Sequence, residues 1–241
     1  MTSTRIDTRQ RDGDGRKAAI TKALASRKTR VFLWRLAAAM TGAALFGLVA
    51  APLLPLPWLP ASLVLALAFC VAFVGGSGYG IVGAVFFPEA GSKASASWTG
   101  ASVSTAAGVA VAATVLVPLG GDLGLLLSAY AIAIGIAYSL AKAACLEAGC
   151  CTAVTRVAGL DLRHAEILAS AVAVALAAGL LGAGQAGLAA IAGAAGHLSV
   201  RIASRAVRHG LPRIDAGFDA GVWELTLLSA LLAAALSAAA G

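Results

Sequence analysis

Apolar residues fill most of the chain from residue 31 onward, in stretches long enough to cross a membrane. A transmembrane helix needs about 20 apolar residues to span the hydrocarbon core. Seven windows satisfy this length, at approximately residues 31–52, 61–84, 99–119, 123–144, 165–184, 186–206 and 220–240. The pattern therefore predicts an all-α fold, a polytopic membrane helix bundle with about seven transmembrane helices.

Helix-breaking residues mark several connections between these windows. Prolines separate the first two windows, and Pro118 with two glycines separates the third from the fourth. Short connections of this kind place neighbouring helices side by side and antiparallel. A glycine cluster from Gly75 to Gly80 lies inside a second segment that can extend to Phe87, and we expect a break, a kink or a re-entrant segment there.

The residue composition excludes a soluble globular domain. Hydrophobic residues make up 60% of the 241 residues and charged residues only 12%, which leaves too little polar surface to cover a soluble fold. The windows are rich in alanine and glycine, which lets helix backbones approach closely.

The first thirty residues differ from the remainder because they carry nine Lys and Arg. Such residues enter hydrocarbon only at high cost. We therefore predict a basic, disordered tail over residues 1–30 and a transmembrane helical domain over residues 31–241. Few aromatic residues interleave with the basic ones, which favours anionic phospholipid headgroups over nucleic acid as the partner.

Nearly all of the other Lys and Arg residues lie at window ends on the same side of the predicted bundle as the tail. The connections on the opposite side carry none. The positive-inside rule then predicts a multi-pass protein of the cell membrane with its amino-terminal tail in the cytoplasm.

The densest polar cluster lies at the end of the fourth window. Lys142 and Cys145 are three residues apart and share a helical face, so the ammonium group can favour the thiolate. With Cys150 and Cys151 close behind, the cysteines can act as nucleophiles or soft ligands, or simply pack as small apolar residues. Their spacing is not a zinc pattern, so we predict no metal and no cofactor.

A row of basic side chains lies where the sixth window ends. It consists of His197, Arg201, Arg205 and Arg208, at spacings of four, four and three residues. These spacings align the side chains along one helical stripe. Guanidinium groups at the hydrocarbon boundary suit bidentate binding of a lipid phosphate. Arginines that only snorkel to the surface and set topology give the same pattern.

Three further residues bear on this stripe. Arg163 and His164 open the fifth window and either face the same headgroup region or anchor the helix at the interface. Glu224 lies just inside the last window, where a buried carboxylate serves as a general base or as a counter-ion. We expect it to pair with the stripe across the short connection at 209–219.

The order of these features resembles the prolipoprotein diacylglyceryl transferase family, in its branch that bears a Gly-Cys-Cys element. In that branch a Gly-Arg-Ile-Gly signature is followed by Cys-x-x-x-Gly-Cys-Cys, which matches Cys145 and the Gly149–Cys151 segment. A segment beginning Arg-His opens the next span, as at Arg163. The family's Arg-x-x-x-Glu-x-x-Arg pattern corresponds to positions 201–208, where Arg205 replaces the acid.

The resemblance implies a seven-span enzyme that transfers diacylglyceryl from phosphatidylglycerol to the cysteine thiol of a lipoprotein. Arg201 would hold the lipid phosphate, and Lys142 and Arg208 would support it electrostatically. Lys142 replaces the signature arginine, and Cys150 stands at the position of the signature glutamate. These departures keep two alternatives open: a non-catalytic membrane subunit that binds lipid or a partner protein, and a small-solute transporter.

Overall fold

The computed structural model describes residues 27–86, 98–148, 156–157, 159–209 and 220–240. In these ranges the chain forms seven α-helices, α1 (Arg27–Ala50), α2 (Trp58–Phe86), α3 (Trp98–Leu116), α4 (Leu123–Ala148), α5 (Leu162–Gly182), α6 (Ala186–His209) and α7 (Ala220–Ala240). Short 3-10 turns follow α1 and α3, and two-residue strands β1 (Arg156–Val157) and β2 (Leu160–Asp161) pair antiparallel before α5. The prediction of an all-α bundle is confirmed.

The lengths and composition of the helices suit a lipid bilayer. Helices α1 to α6 each contain a stretch long and apolar enough to cross a membrane, and α7 carries a shorter one, Glu224–Ala239. The chain is therefore a multi-pass membrane protein. The helix limits agree with the sequence windows to within a few residues, and α1 begins at Arg27. Residues 1–26 of the predicted tail lie outside the described residues.

Helix α4 lies at the centre of the bundle. It packs against α1, α3, α5, α6 and α7, and 72% of its most apolar window is buried, compared with 22% for α5. The outward faces of α2 and α5 expose leucine and valine side chains such as Leu67, Leu168 and Val172. Because lipid tails solvate such side chains as well as a protein core does, these faces match a hydrocarbon surrounding.

Gly76, in the glycine cluster of α2, allows close packing of two helices, and the helix does not break there. Helix α2 continues without interruption from Trp58 to Phe86, so the expected break or re-entrant segment is not formed. A Cβ atom on Gly76 would lie 2.3 Å from the carbonyl oxygen of Gly100. The missing side chain therefore allows α2 and α3 to cross in close contact, and the helical backbone keeps its own hydrogen bonds.

The antiparallel arrangement brings charged residues from several helices to one end of the bundle, which we call the charged end. At this end Arg30 of α1 pairs with Glu147 of α4, Lys142 of α4 with Glu166 of α5, and Arg201 of α6 with Glu224 of α7. In the described connections at the opposite end, Asp122 is the one charged residue, and its carboxylate accepts a hydrogen bond from the Leu125 amide at the start of α4.

Candidate functional site

Tyr138 of α4 is the centre of the polar cluster at the charged end. Its side chain is fully buried. Lys142 follows one helical turn later, and its Nζ lies 5.0 Å from the centroid of the Tyr138 ring. The guanidinium carbon of Arg201, from α6, lies 5.3 Å from the same centroid. Both distances fall in the range of cation–π contacts, so the two cations named from the sequence come together around one aromatic ring.

Glu166 of α5 supplies the first counter-charge. It is 3% exposed, and its Oε2 lies 3.1 Å from Lys142 Nζ. Its Oε1 accepts hydrogen bonds from the Tyr138 hydroxyl at 2.9 Å and from the Ser204 hydroxyl of α6. The carboxylate therefore joins three helices, and it meets the requirement that a buried charge be paired and hydrogen-bonded.

Glu224 of α7 supplies the second counter-charge. The Arg201 guanidinium donates to it through two hydrogen bonds, Nε to Oε1 at 2.7 Å and Nη2 to Oε2 at 2.6 Å. Arg201 Nη1 also donates to the Tyr138 hydroxyl at 3.4 Å. The expected pairing of Glu224 with the basic stripe is thereby confirmed. The two-pronged geometry matches the one guanidinium groups adopt with carboxylates and with phosphates.

The four charges of this cluster balance one another in a site of low polarity. Two cations, Lys142 and Arg201, face two carboxylates, Glu166 and Glu224, and each of the four residues is buried or nearly so. Charge–charge attraction in such surroundings exceeds that in water. An isolated charge here would be expensive, so the cluster is held together as a unit.

His197 lies one helical turn before Arg201 on the same stripe of α6. Its ring is buried and meets the Tyr138 ring edge to face, with centroids 5.4 Å apart. It also lines a cavity of about 10 Å³ between α4, α6 and α7, whose other walls are mostly aliphatic side chains. His197 therefore supports the ring that carries the two cations.

Arg163 contacts the connection before α5 rather than the Tyr138 cluster. Asp161 caps α5 by accepting a hydrogen bond from the Arg163 amide at 2.9 Å, and it forms an ion pair with the Arg163 guanidinium. That guanidinium holds the pKa of Asp161 well below its usual range. Arg163 Nη1 also donates to the Cys145 carbonyl at 3.3 Å, which ties the end of α4 to the start of α5.

The remaining predicted site residues lie at the periphery of the bundle or outside the residues that the structure describes. His164 is exposed, and Cys145 and Arg205 are partly buried. Cys150 and Cys151 lie outside the described residues, and of Arg208 only the helical backbone is described. Within the described ranges, no three His, Cys, Asp or Glu side chains come together as metal ligands would.

Three members of the cluster were not expected from the sequence: Tyr138, Glu166 as the partner of Lys142, and Ser204. A signal existed for two of them. Tyr138 is four residues before Lys142, and Ser204 is three residues after Arg201, so each shares a helical face with its charged neighbour. Glu166 comes from a different helix, and only the packing of α5 against α4 brings it to Lys142.

Comparisons of this chain with protein-family models, with curated proteins and with solved structures find no match.

Proposed function

We propose that the protein binds a phospholipid headgroup at the Tyr138 cluster and transfers the lipid's diacylglyceryl group to a thiol. The main support is the convergence of Lys142 and Arg201 on one buried tyrosine near the ends of their helices. A phosphodiester is the anion most available at that level of a bilayer. Glu224 and the Tyr138 hydroxyl occupy three N–H groups of Arg201, and a guanidinium has five, so two donors remain for a phosphate oxygen.

The reaction follows from the resemblance to the diacylglyceryl transferases. The bond between the glyceryl carbon and the phosphate oxygen breaks, and a bond between that carbon and the acceptor sulfur forms. The thiol proton passes to the departing glycerol phosphate, so atoms and charge balance. Arg201 and Lys142 stabilise the negative charge that develops on the phosphate, and Tyr138 and Glu166 hold Lys142 in position.

We further propose that the charged end faces the cytoplasm. All 18 Lys and Arg residues of the chain lie in the tail, near helix ends at the charged end, or in the connections that join those ends. The positive-inside rule assigns such an end to the cytoplasm. The site would then take its lipid from the cytoplasmic leaflet of the cell membrane. Labelling from each side of the membrane at Arg156→Cys and at Gln185→Cys, in a variant with the four native cysteines replaced, tests this assignment.

Three variants test the headgroup site: Arg201→Gln, Glu224→Gln and the double variant. Each is purified into nanodiscs that contain phosphatidylglycerol, and retained lipid phosphate and diacylglyceryl transfer to a thiol peptide are measured. The double variant removes both charges and leaves amides that can still hydrogen-bond. It is therefore the matched control for folding, because no buried charge is left without a partner.

The expected order of lipid retention is characteristic of phosphate binding at Arg201. Arg201→Gln and the double variant are expected to lose the retained lipid. Glu224→Gln is expected to keep it or to bind lipid more tightly, because the Arg201 guanidinium then has no competing carboxylate. Equal retention in all three variants would exclude Arg201 as the headgroup contact. Retention without transfer in the wild-type protein would exclude the transferase reaction alone.

A non-catalytic membrane subunit is the second candidate, and the closed charge balance of the cluster favours it. Lys142 and Arg201 are each already neutralised by a carboxylate, as expected for a cluster that orders helices rather than one that receives an anion. In this case the lipid or a partner protein binds away from Arg201, at the basic tail. Deleting residues 1–26 would then abolish binding, while Arg201→Gln would affect stability alone.

A further inference from the structure

An open cleft lies on α1 at the charged end, and we call it the α1 cleft. Its volume is about 310 Å³, and the side chains that line it are Arg30, Leu33, Trp34 and Ala37. Their spacings of three, one and three residues place them on one helical face. Sites for small molecules have volumes of about 300–1,000 Å³. The α1 cleft therefore has room for a headgroup and the beginning of a hydrocarbon chain.

The α1 cleft is polar at one end and apolar along the rest. At the polar end Arg30 Nε donates to Glu147 Oε1 of α4 at 2.6 Å, and the Arg30 side chain is 45% exposed. The apolar part is also accessible, because Leu33 and Trp34 are 44% and 39% exposed. Since a helix rises by about 1.5 Å per residue, Ala37 lies about 10 Å beyond Arg30 along the membrane-spanning helix. A positive charge at the membrane boundary is thus followed inward by an apolar wall.

We propose that the α1 cleft binds one phospholipid with an anionic headgroup. The phosphate lies at Arg30, because a phosphodiester complements a guanidinium in charge and in geometry. The Trp34 ring, which has an apolar body and a polar N–H, lies at the level where headgroup and acyl chain meet. The acyl chain then follows Leu33 and Ala37. Cation, aromatic ring and aliphatic wall come in the order in which a lipid presents its phosphate, its glyceryl region and its chain.

Charge favours a lipid in the α1 cleft over a segment of this protein. Residues 1–26 carry six Lys and Arg but only three Asp, so Arg30 repels that segment. A second copy packed about a two-fold axis would bring its own Arg30 towards this one. The cleft shares no residue with the Tyr138 cluster. The inference is therefore independent of the proposed transferase function.

The fluorescence of Trp34 reports directly on the occupant. In a variant with the other three tryptophans replaced by phenylalanine, Trp34 emission is measured in phosphatidylcholine bilayers. These contain increasing fractions of phosphatidylglycerol or of phosphatidylcholine that carries bromine, a contact quencher, on its acyl chains. We expect Trp34 to prefer phosphatidylglycerol about fivefold, the factor that one basic residue contributes near an anionic membrane surface.

Trp58 provides the internal control for this measurement. It is exposed to a similar or greater extent, and it lies at the start of α2, at the end of the bundle opposite Arg30. The connection before it, residues 51–57, carries no charged residue. In the variant that keeps only Trp58, we expect the two brominated lipids to quench equally.

Substitutions at two arginines of α1 separate the cleft from a general effect of charge. Arg30 and Arg35 are both exposed, but only Arg30 lines the cleft. Arg30→Gln is expected to abolish the phosphatidylglycerol preference of Trp34, and Arg35→Gln, which removes the same charge, to keep it. Glu147→Gln is expected to increase the preference, because it removes the carboxylate that competes with a phosphate for Arg30. An exposed ion pair contributes little to stability, so these variants should fold.

Three results would overturn the proposal. The first is equal quenching of Trp34 by the two lipids. The second is an equal loss of preference in Arg30→Gln and Arg35→Gln, which would show a general attraction to anionic lipid. The third is quenching of Trp34 by both lipids that is much weaker than that of Trp58, which would show that protein covers the cleft. Arg201→Gln is expected to leave the Trp34 preference unchanged, so failure of the proposed function and failure of this proposal are distinguishable.

Discussion

Arg201 and Glu224, 23 residues apart in sequence, form a two-pronged ion pair that joins α6 to α7 at the charged end, with N–O distances of 2.6 and 2.7 Å. The Glu224 side chain is 2% exposed and that of Arg201 13%. Both groups have therefore left water, and each depends on the other. The same pair fixes the position of the guanidinium against Tyr138, so it controls the candidate site as well as the packing of α7.

Removing one partner of this pair is expected to cost more stability than removing both. Glu224→Ala leaves the Arg201 guanidinium buried without its counter-ion, and losses of this kind are about 3–5 kcal/mol. The Arg201→Gln and Glu224→Gln double variant should lose clearly less, because no charge is left alone. Thermal unfolding in detergent measures both. A double variant that is less stable than Glu224→Ala would show that the pair is not coupled in this way.

Tyr138 is expected to contribute through its hydroxyl and its ring separately. Tyr138→Phe keeps the ring between Lys142 and Arg201 but removes one donor to Glu166, at a cost of about 1–2 kcal/mol. Tyr138→Leu also removes the cation–π contacts, which adds about 0.5–2 kcal/mol. The denaturation midpoints of the two variants then separate the contribution of the hydroxyl to stability from that of the ring. Equal stabilities for Phe and Leu at this position would exclude a contribution from the ring.

Two adjacent glycines in α2 provide a matched test of the helix crossing. A Cβ on Gly76 would lie 2.3 Å from the Gly100 carbonyl oxygen, whereas a Cβ on Gly75 would have nothing within 4 Å. Gly76→Ala should therefore force α2 and α3 apart and lower the Tm. Gly75→Ala should leave the Tm unchanged or raise it slightly, since alanine favours helix more than glycine by about 1 kcal/mol. Similar destabilisation in both variants would contradict the close crossing.

Asp161 is expected to stabilise the start of α5 in a pH-dependent way. Arg163 lowers the pKa of the folded Asp161, so the ionised form is favoured by folding. Its contribution is complete above the unfolded pKa, about 3.9, and is lost as the pH falls through the lower folded value. Asp161→Asn keeps a helix cap without the charge. The Tm difference between wild type and this variant should be constant near neutral pH and shrink below about pH 4.

Sequence and structure agree most closely on the helices and least closely on the contacts between them. The windows of apolar residues predict the seven helices of the described ranges, because a run of about 20 apolar residues is the length that crosses a membrane. The spacing of His197 and Arg201 placed both on one stripe of α6, and the structure brings both to Tyr138. The prediction of a break at the glycine cluster in α2 is wrong. Glycine permits a bent backbone and a close helix crossing equally well, and only the neighbouring helix distinguishes the two.

The order of apolar and charged residues is enough to predict that this chain enters a membrane, which segments cross it, and that its cations gather at one end. These properties depend on composition and on spacing along a single helix, where transfer energies act residue by residue. Which carboxylate meets which cation depends on how the helices pack. Glu166 faces Lys142 and Glu224 faces Arg201 because α5 packs against α4 and α7 against α6. Small residues permit such close packing: a Cβ on Gly135 of α4 would lie 2.5 Å from the Val174 side chain of α5.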